Sequence, residues 1–471
     1  MLEKTHEQKA PLEGDQLHEV RSHGEEGTVT RPYDPVFGEI TEDGPNYRNV
    51  GWLGTSALMI KAQIGLGVLS IPQAFDVLGI VPGVICLSMV AAITTWSDYI
   101  VGVFKLRHPE IYGIDDVGWM IFGRIGKEVL AAGFVLYYAF VAGAMMLGIS
   151  IGLNAVTMHG VCTAVFVAVA AIIGGGFASI RTLGKMSWLA MFGVTCLVIS
   201  IVMVTIAVGV QDRPATAPKD IPWKSDFKIV GNPTFVEAVS AISTFVFAYA
   251  GTPAFFSFAA EMRNPQHYGR ALLLCQIIVT VAYVGIGCVV YYFCGSYVAS
   301  PALGSAGPLI KKISYGIAIP GIVATAMLCI HLPGKYLFVR FLRGSKHLTA
   351  NSVVHWSVWL GCVFGITLFA YIISSAIPVF GGLVSFIGAL LGTLMSFQPM
   401  GCMWLYDNWS KEKRKRDIQW AFMVVWSVFV VASGTFLMVA GTYGSVVGII
   451  DSYQKNGGSK AWSCADNSNS V

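Results

Sequence analysis

The sequence predicts an all-α membrane protein of eleven transmembrane helices. Ten form a five-plus-five inverted repeat with discontinuous helices 1 and 6, and one is extra. Three observations predict it: little charge with high hydropathy, long apolar runs, and two mid-run breaks five spans apart. Of 471 residues, 55% are hydrophobic and 12% charged, with a mean hydropathy of +0.64. A soluble globular protein carries about twice that share of charge.

A membrane helix needs about 20 mostly apolar residues. Eleven runs meet this need, near 51–76, 80–104, 128–156, 160–180, 187–210, 234–261, 270–294, 315–340, 353–376, 379–406 and 419–450. Gly441, Gly444 and Gly448 blur the end of the last. The chain then divides into a tail (1–48), a first five-helix repeat (49–210), an outer loop (211–233), a second five-helix repeat (234–406), a basic inner loop (407–418), the eleventh helix (419–450) and an outer tail (451–471).

Residues 1–48 are polar, with charges of both signs, and are expected to be disordered. They contain no apolar h-region, so they are not a signal peptide, and Lys4 and Lys9 are solvated tail lysines. Lys and Arg gather between alternate spans, at Lys105, Arg107, Arg124, Lys127 and in the run 411–416. That bias places the N-terminus in the cytoplasm, and an odd span count places the C-terminus outside. The net charge of +4 forms no basic stripe, so a nucleic-acid partner is not indicated, whereas membrane lipid is. The ten cysteines show no metal-type spacing and read as small apolar filler. Cys294 and Cys464 both fall on the outer side, where a pairing is open.

Two runs break the rules of a good helix. In the first, Gly65 and Gly67 sit at mid-span after the polar pair Lys61 and Gln63 and before Pro72. In the sixth, Gly251-Thr252-Pro253 interrupts the run. Irregular backbone at membrane depth is tolerated where protein or a water-filled cavity receives its polar groups. Close helix packing is the other use of such glycines. Spans five apart cross the membrane in opposite directions, so the pair marks an inverted repeat with its binding site at the midplane.

The stretch 61–75, KAQIGLGVLSIPQAF, resembles the first-span signature of the amino acid/auxin permease family, within the amino acid–polyamine–organocation superfamily. Glu261-Met262-Arg263-Asn264-Pro265 resembles that family's sixth-span ending. The resemblance covers roughly 48–445 and extends to the filamentous-fungal permeases for neutral amino acids. It implies proton-driven uptake at the plasma membrane, with no cofactor beyond the coupling proton. The breaks alone imply only a secondary transporter of a small zwitterion or anion.

A broken helix suits that substrate. N–H groups at Gly67 and Val68 face a carboxylate, and carbonyls near Gln63, Ile64, Tyr249 and Ala250 face an ammonium. The expected substrate site therefore comprises Ile64, Gly65, Leu66, Gly67, Val68, Tyr249, Ala250, Gly251 and Thr252, with Tyr137, Phe247 and Phe255 lining an apolar side-chain pocket. Aromatics at helical spacing are more often packing than pocket. Only Lys61 among charged residues lies beside a break, which favours neutral L-amino acids such as leucine and tryptophan.

Intramembrane ionisable residues are candidates for carrying the proton. Lys61 either snorkels to the inner headgroups or takes part in coupling without touching substrate. Asp98 reads as reaching the inner interface, and Glu237 as interfacial. Glu261 reads as paired with an inner cation, and His331 as a structural histidine or a proton carrier. Gly65-Leu66-Gly67 is no dinucleotide loop, since no strand precedes it. The sequon at Asn408 falls in the inner loop and should stay bare. Neither an enzyme nor an ATP-driven pump is indicated, but a non-transporting sensor of the same fold would keep the same site.

Overall fold

The computed structural model describes residues 33–34, 38–39, 50–180, 183–214, 217, 222–343, 345, 347, 352–409, 417–456 and 461–468. Lys4, Lys9, the run 411–416 and Ser410 of the sequon lie outside them. Within the tail 1–48, residues Tyr33–Asp34 and Gly38–Glu39 form a short antiparallel pair, β1 and β2.

The rest is helical. In order the helices are α1 (Trp52–Gln63), α2 (Ile71–Leu78), α3 (Ile80–Arg107), α4 (Ile114–Thr157), α5 (Thr163–Ala178), α6 (Leu183–Val210), α7 (Phe235–Tyr249) and α8 (Thr252–Ala260). They continue with α9 (Tyr268–Cys294), α10 (Pro308–Leu342), α11 (Val353–Ala376), α12 (Phe380–Ile387), α13 (Thr393–Ser396), α14 (Gln398–Trp409) and α15 (Ile418–Asn456).

Nine helices among the described residues are long and apolar enough to cross a membrane, counting α7 with α8 and the run Phe380–Trp409 each as one. Two predicted spans are not among the nine. The fourth, expected over 160–180, is the apolar but 16-residue α5. The first is divided into α1 and α2, of 12 and 8 residues.

Hydropathy placed several boundaries differently from the backbone. The third span, expected from residue 128, belongs to a helix that begins at Ile114 and kinks at Gly123, where φ is 65°. Glycine meets that left-handed conformation without a β-carbon clash. The last helix continues to Asn456 through Gly441, Gly444 and Gly448. A β-carbon at Gly441 would stand 3.0 Å from that of Ala389. This glycine thus admits a neighbouring helix, as small residues do between membrane helices.

Two helices gather most of the others around them. Helix α10 lies against α4, α5, α6 and α11, while α9 lies against α1, α2, α3 and also α6. Helix α7 packs on α2 and α15. Large apolar side chains such as Ile206, Val281, Leu368 and Phe422 face outward, as lipid-facing positions require.

The two ends of the bundle are closed by polar contacts. At one end, Val50 N–H donates to Glu261 O at 3.2 Å, and Asp407 accepts from Arg107 at 2.9 Å. At the other end, Gly231 N–H donates to Leu78 O at 2.8 Å. Residues 461–468 also lie there. Cys464 forms a disulfide with Cys162 between α4 and α5, and Cys294 remains a buried free thiol. The open pairing of Cys294 with Cys464 is therefore replaced. The segment is further held by Asn154 Nδ2 donating to Asn467 Oδ1 (2.7 Å), Asn467 Nδ2 to Ser150 Oγ (3.0 Å) and Lys311 Nζ to Ser468 O (2.6 Å).

Candidate functional site

The first break follows from its residues. Ile64 N–H closes the last turn of α1 onto Ile60 O, and Gly65 then turns away with φ −142° and ψ −142°. A single 3₁₀ turn, Leu66–Leu69, leads to α2, whose second residue is Pro72. Proline suits a first turn because its missing N–H would have had no helical partner.

The second break repeats the pattern. Helix α7 ends at Tyr249, Ala250 takes φ −77° and ψ 48°, and α8 restarts at Thr252 with Pro253 next. Gly251 itself has φ −82° and ψ −13°, ordinary helical backbone. It is glycine for space, since a β-carbon there would meet Gln63 Cγ at 3.0 Å and Phe255 at 3.2 Å.

The two breaks touch. A β-carbon on Gly67 would stand 2.6 Å from the Cα of Ala248. Tyr283 on α9 spans both, its hydroxyl lying 2.8 Å from Gln63 O and 2.9 Å from Ala248 O. One proton serves two carbonyls, so one of them is always without it. On the other side, the Tyr137 hydroxyl of α4 donates to Ala250 O. Two tyrosines thus reach three carbonyls at the breaks, among them Gln63 O and Ala250 O, on which the sequence placed an ammonium. Tyr137 was expected to line the side-chain pocket and is found on the Ala250 carbonyl. Tyr283 was not expected, because nothing in an apolar run distinguishes it from packing aromatics.

Of the other expected lining residues, Ile64, Leu66 and Val68 are buried at the first break. The Leu66 side chain reaches toward Gly148 of α4. Phe255 lies against Gly251. Phe247 instead packs against Gly388, just past α12. The Tyr249 hydroxyl donates to Thr280 at 3.0 Å.

The coupling candidates separate clearly. Lys61 is 5% exposed, and its Nζ makes no hydrogen bond among the described residues; it faces Cys329 on α10. The snorkelling reading does not fit that burial. Asp98 is 0% exposed and so does not reach the interface expected for it. Helix α3 runs on to Arg107, and α8 and α9 cover the carboxyl. Glu237 is exposed and caps α7, accepting from Thr234 N–H at 2.8 Å. Glu261 faces Lys335. His331 is buried with Nδ1 3.2 Å from Ala178 O and its ring against Trp359, a structural setting.

Two interrupted helices meeting at their breaks inside a helical bundle are the core of a secondary-transporter fold. The inward-facing conformation of Mhp1 is similar at a TM-score of 0.55, with 12% identity over 90% of this chain and 95% of that one. A closed conformation of Mhp1, a nucleobase-cation-symport-1 family transporter, gives 0.53 with 12% identity over 90% and 97%. At such identity the likeness is one of fold.

The chain itself belongs to the transmembrane amino acid transporter protein family, whose model matches residues 48–447. It is 33% identical over 440 residues to the N amino acid transport system protein of Neurospora crassa, covering 91% of each chain. It is 31% identical over 471 residues to a transmembrane transporter of Gibberella moniliformis, covering 99% of this chain and 96% of that one. These relatives are transporters rather than enzymes, and the motifs at 61–75 and 261–265 fall within the matched region.

Proposed function

We propose that this chain imports neutral amino acids, aliphatic and aromatic, across the plasma membrane by proton-coupled alternating access. The observation that carries the reading is the contact of Gly67 with Ala248. It brings two helix interruptions together where backbone N–H groups and carbonyls can hold a carboxylate and an ammonium without a charged side chain. Leucine and tryptophan are the substrates of choice for testing, since Leu66, Val68, Phe247 and Phe255 bring buried apolar side chains to the breaks.

Adding α5 and the divided segment 52–78 to the nine long helices makes eleven spans, five and five in inverted repeat with α15 extra. The charge bias supports an inner N-terminus and an outer C-terminus. The Cys162–Cys464 disulfide supports the same orientation, since disulfides persist in oxidising compartments.

The test is uptake of labelled leucine and tryptophan into proteoliposomes, with and without an acidic exterior. Accumulation that grows with the imposed gradient is expected. Binding without movement would identify a sensor instead.

A further inference from the structure

Beside the second break lies a buried polar cluster centred on Asp98, which shares only Thr252 with the expected substrate site. Asp98 of α3 is fully buried, and its Oδ2 accepts from Gln276 Nε2 of α9 at 2.8 Å. The Tyr268 hydroxyl donates to the backbone O of Asp98 at 2.9 Å. Thr252, the first residue of α8, faces the same carboxyl, although its hydroxyl does not complete a hydrogen bond of good geometry. Gln63, the last residue of α1, reaches the cluster's edge, its Oε1 lying 3.7 Å from Cys275 Sγ. No charged group of a neighbouring helix lies beside Asp98 among the described residues; Tyr268 and Cys275 are the titratable side chains that face it.

The hydrogen-bond count is unbalanced. Asp98 Oδ1, Gln276 Oε1 and Thr252 Oγ1 are buried without a partner. A carboxylate only accepts, whereas a carboxylic acid carries one O–H donor. A proton on Oδ1 would therefore turn one orphaned acceptor into a donor. It would also remove an uncompensated charge from the membrane interior.

We propose that Asp98 is the proton-binding residue of this transporter, read out by the substrate site through Thr252 and Gln63, the residues bordering the two breaks. The inference rests on the transport reading above. An ionised Asp98 needs water, and the sealed arrangement of α3, α8 and α9 excludes it. Only the protonated carrier can close over this carboxyl, so a proton enters with each amino acid, rides on Oδ1 and leaves on the far side. Gln276 offers its amide N–H to the carboxylate rather than its oxygen, which suits a proton better than a metal cation.

The test uses the full chain in proteoliposomes and compares Asp98→Asn and Asp98→Glu with the parent. One imposed pH unit can drive about tenfold accumulation at one-to-one coupling. Asp98→Asn mimics the protonated form, so it should exchange internal for external leucine at near-parent rates yet bring net uptake only to parity. Asp98→Glu should restore gradient-driven accumulation with an altered pH profile. Accumulation by Asp98→Asn equal to the parent's overturns the proposal. So does loss of exchange along with accumulation, which would make Asp98 structural, and so does parent uptake driven by a sodium gradient at equal pH. A parent protein that moves no amino acid at all defeats the transport reading instead, and that is seen in the parent arm alone.

Discussion

Gly67 and Ala248 meet backbone to backbone, so closely that a β-carbon on the glycine would lie 2.6 Å from the alanine Cα. Real β-carbons do not approach that near, and backbone cannot swing aside as a flexible side chain can. Gly67→Val should therefore push the two breaks apart. Misplacement on that scale costs about 100-fold in a positioned site, so leucine uptake should fall by about that factor while surface expression persists. Gly65→Ala makes the contrast, because its β-carbon would meet only Met145 Cε at 3.7 Å, an ordinary contact. It should transport nearly as well as the parent. Equal uptake by Gly67→Val would sink the site.

The Tyr283 hydroxyl is shared between Gln63 O and Ala248 O. Tyr283→Phe keeps the ring but removes the donor. A neutral hydrogen bond contributes about 1 kcal/mol net, so KM for leucine should change by roughly fivefold. If the hydroxyl helps to hold the two breaks in register, KM rises; a fall would mean that it competes with the substrate ammonium. An unchanged KM would show that the contact is idle.

Much of this site was legible in the chain. Gly65, Gly67 and Gly251-Thr252-Pro253 announce their breaks because glycine and proline act locally, within the turn that holds them. Asp98 was misread because hydropathy records how apolar a run is and not which helices cover it. Its depth is set by α8 and α9, about 150 to 180 residues further on. Tyr283 is invisible for the same reason, since its two acceptors lie on other helices. Cys162 was passed over as a partner because Cys464 reaches it across 302 residues of chain, a separation no local pattern reports.

The C-terminal segment should act as a staple. Through Cys464, Asn467 and Ser468 it joins the start of α5, the end of α4 and the start of α10. Cys464→Ser should lower the melting temperature of the solubilised protein by several degrees, and Asn467→Ala by less. In intact cells, an impermeant maleimide should label Cys464 only after treatment with an impermeant reductant. Labelling that requires permeabilised cells would reverse the proposed orientation.

Lys61 is the most exposed prediction. Its Nζ is buried on α1, which packs against α8 and α9, and it faces Cys329 of α10 with no hydrogen-bond partner among the described residues. It precedes Gly65 by four residues, about one helical turn, too far for a carboxylate seated at Gly67. Solvent does not reach it, so an unpaired charge held there is costly. A proton that leaves and returns there as the cavity opens to each side in turn would make the lysine a coupling element rather than a substrate ligand. Lys61→Ala and Lys61→Gln should both keep leucine binding and exchange. Both should lose accumulation driven by an acidic exterior, falling from about tenfold per pH unit toward parity. If Lys61→Ala concentrates leucine as well as the parent does, the lysine plays no part in coupling, and its burial would serve packing alone.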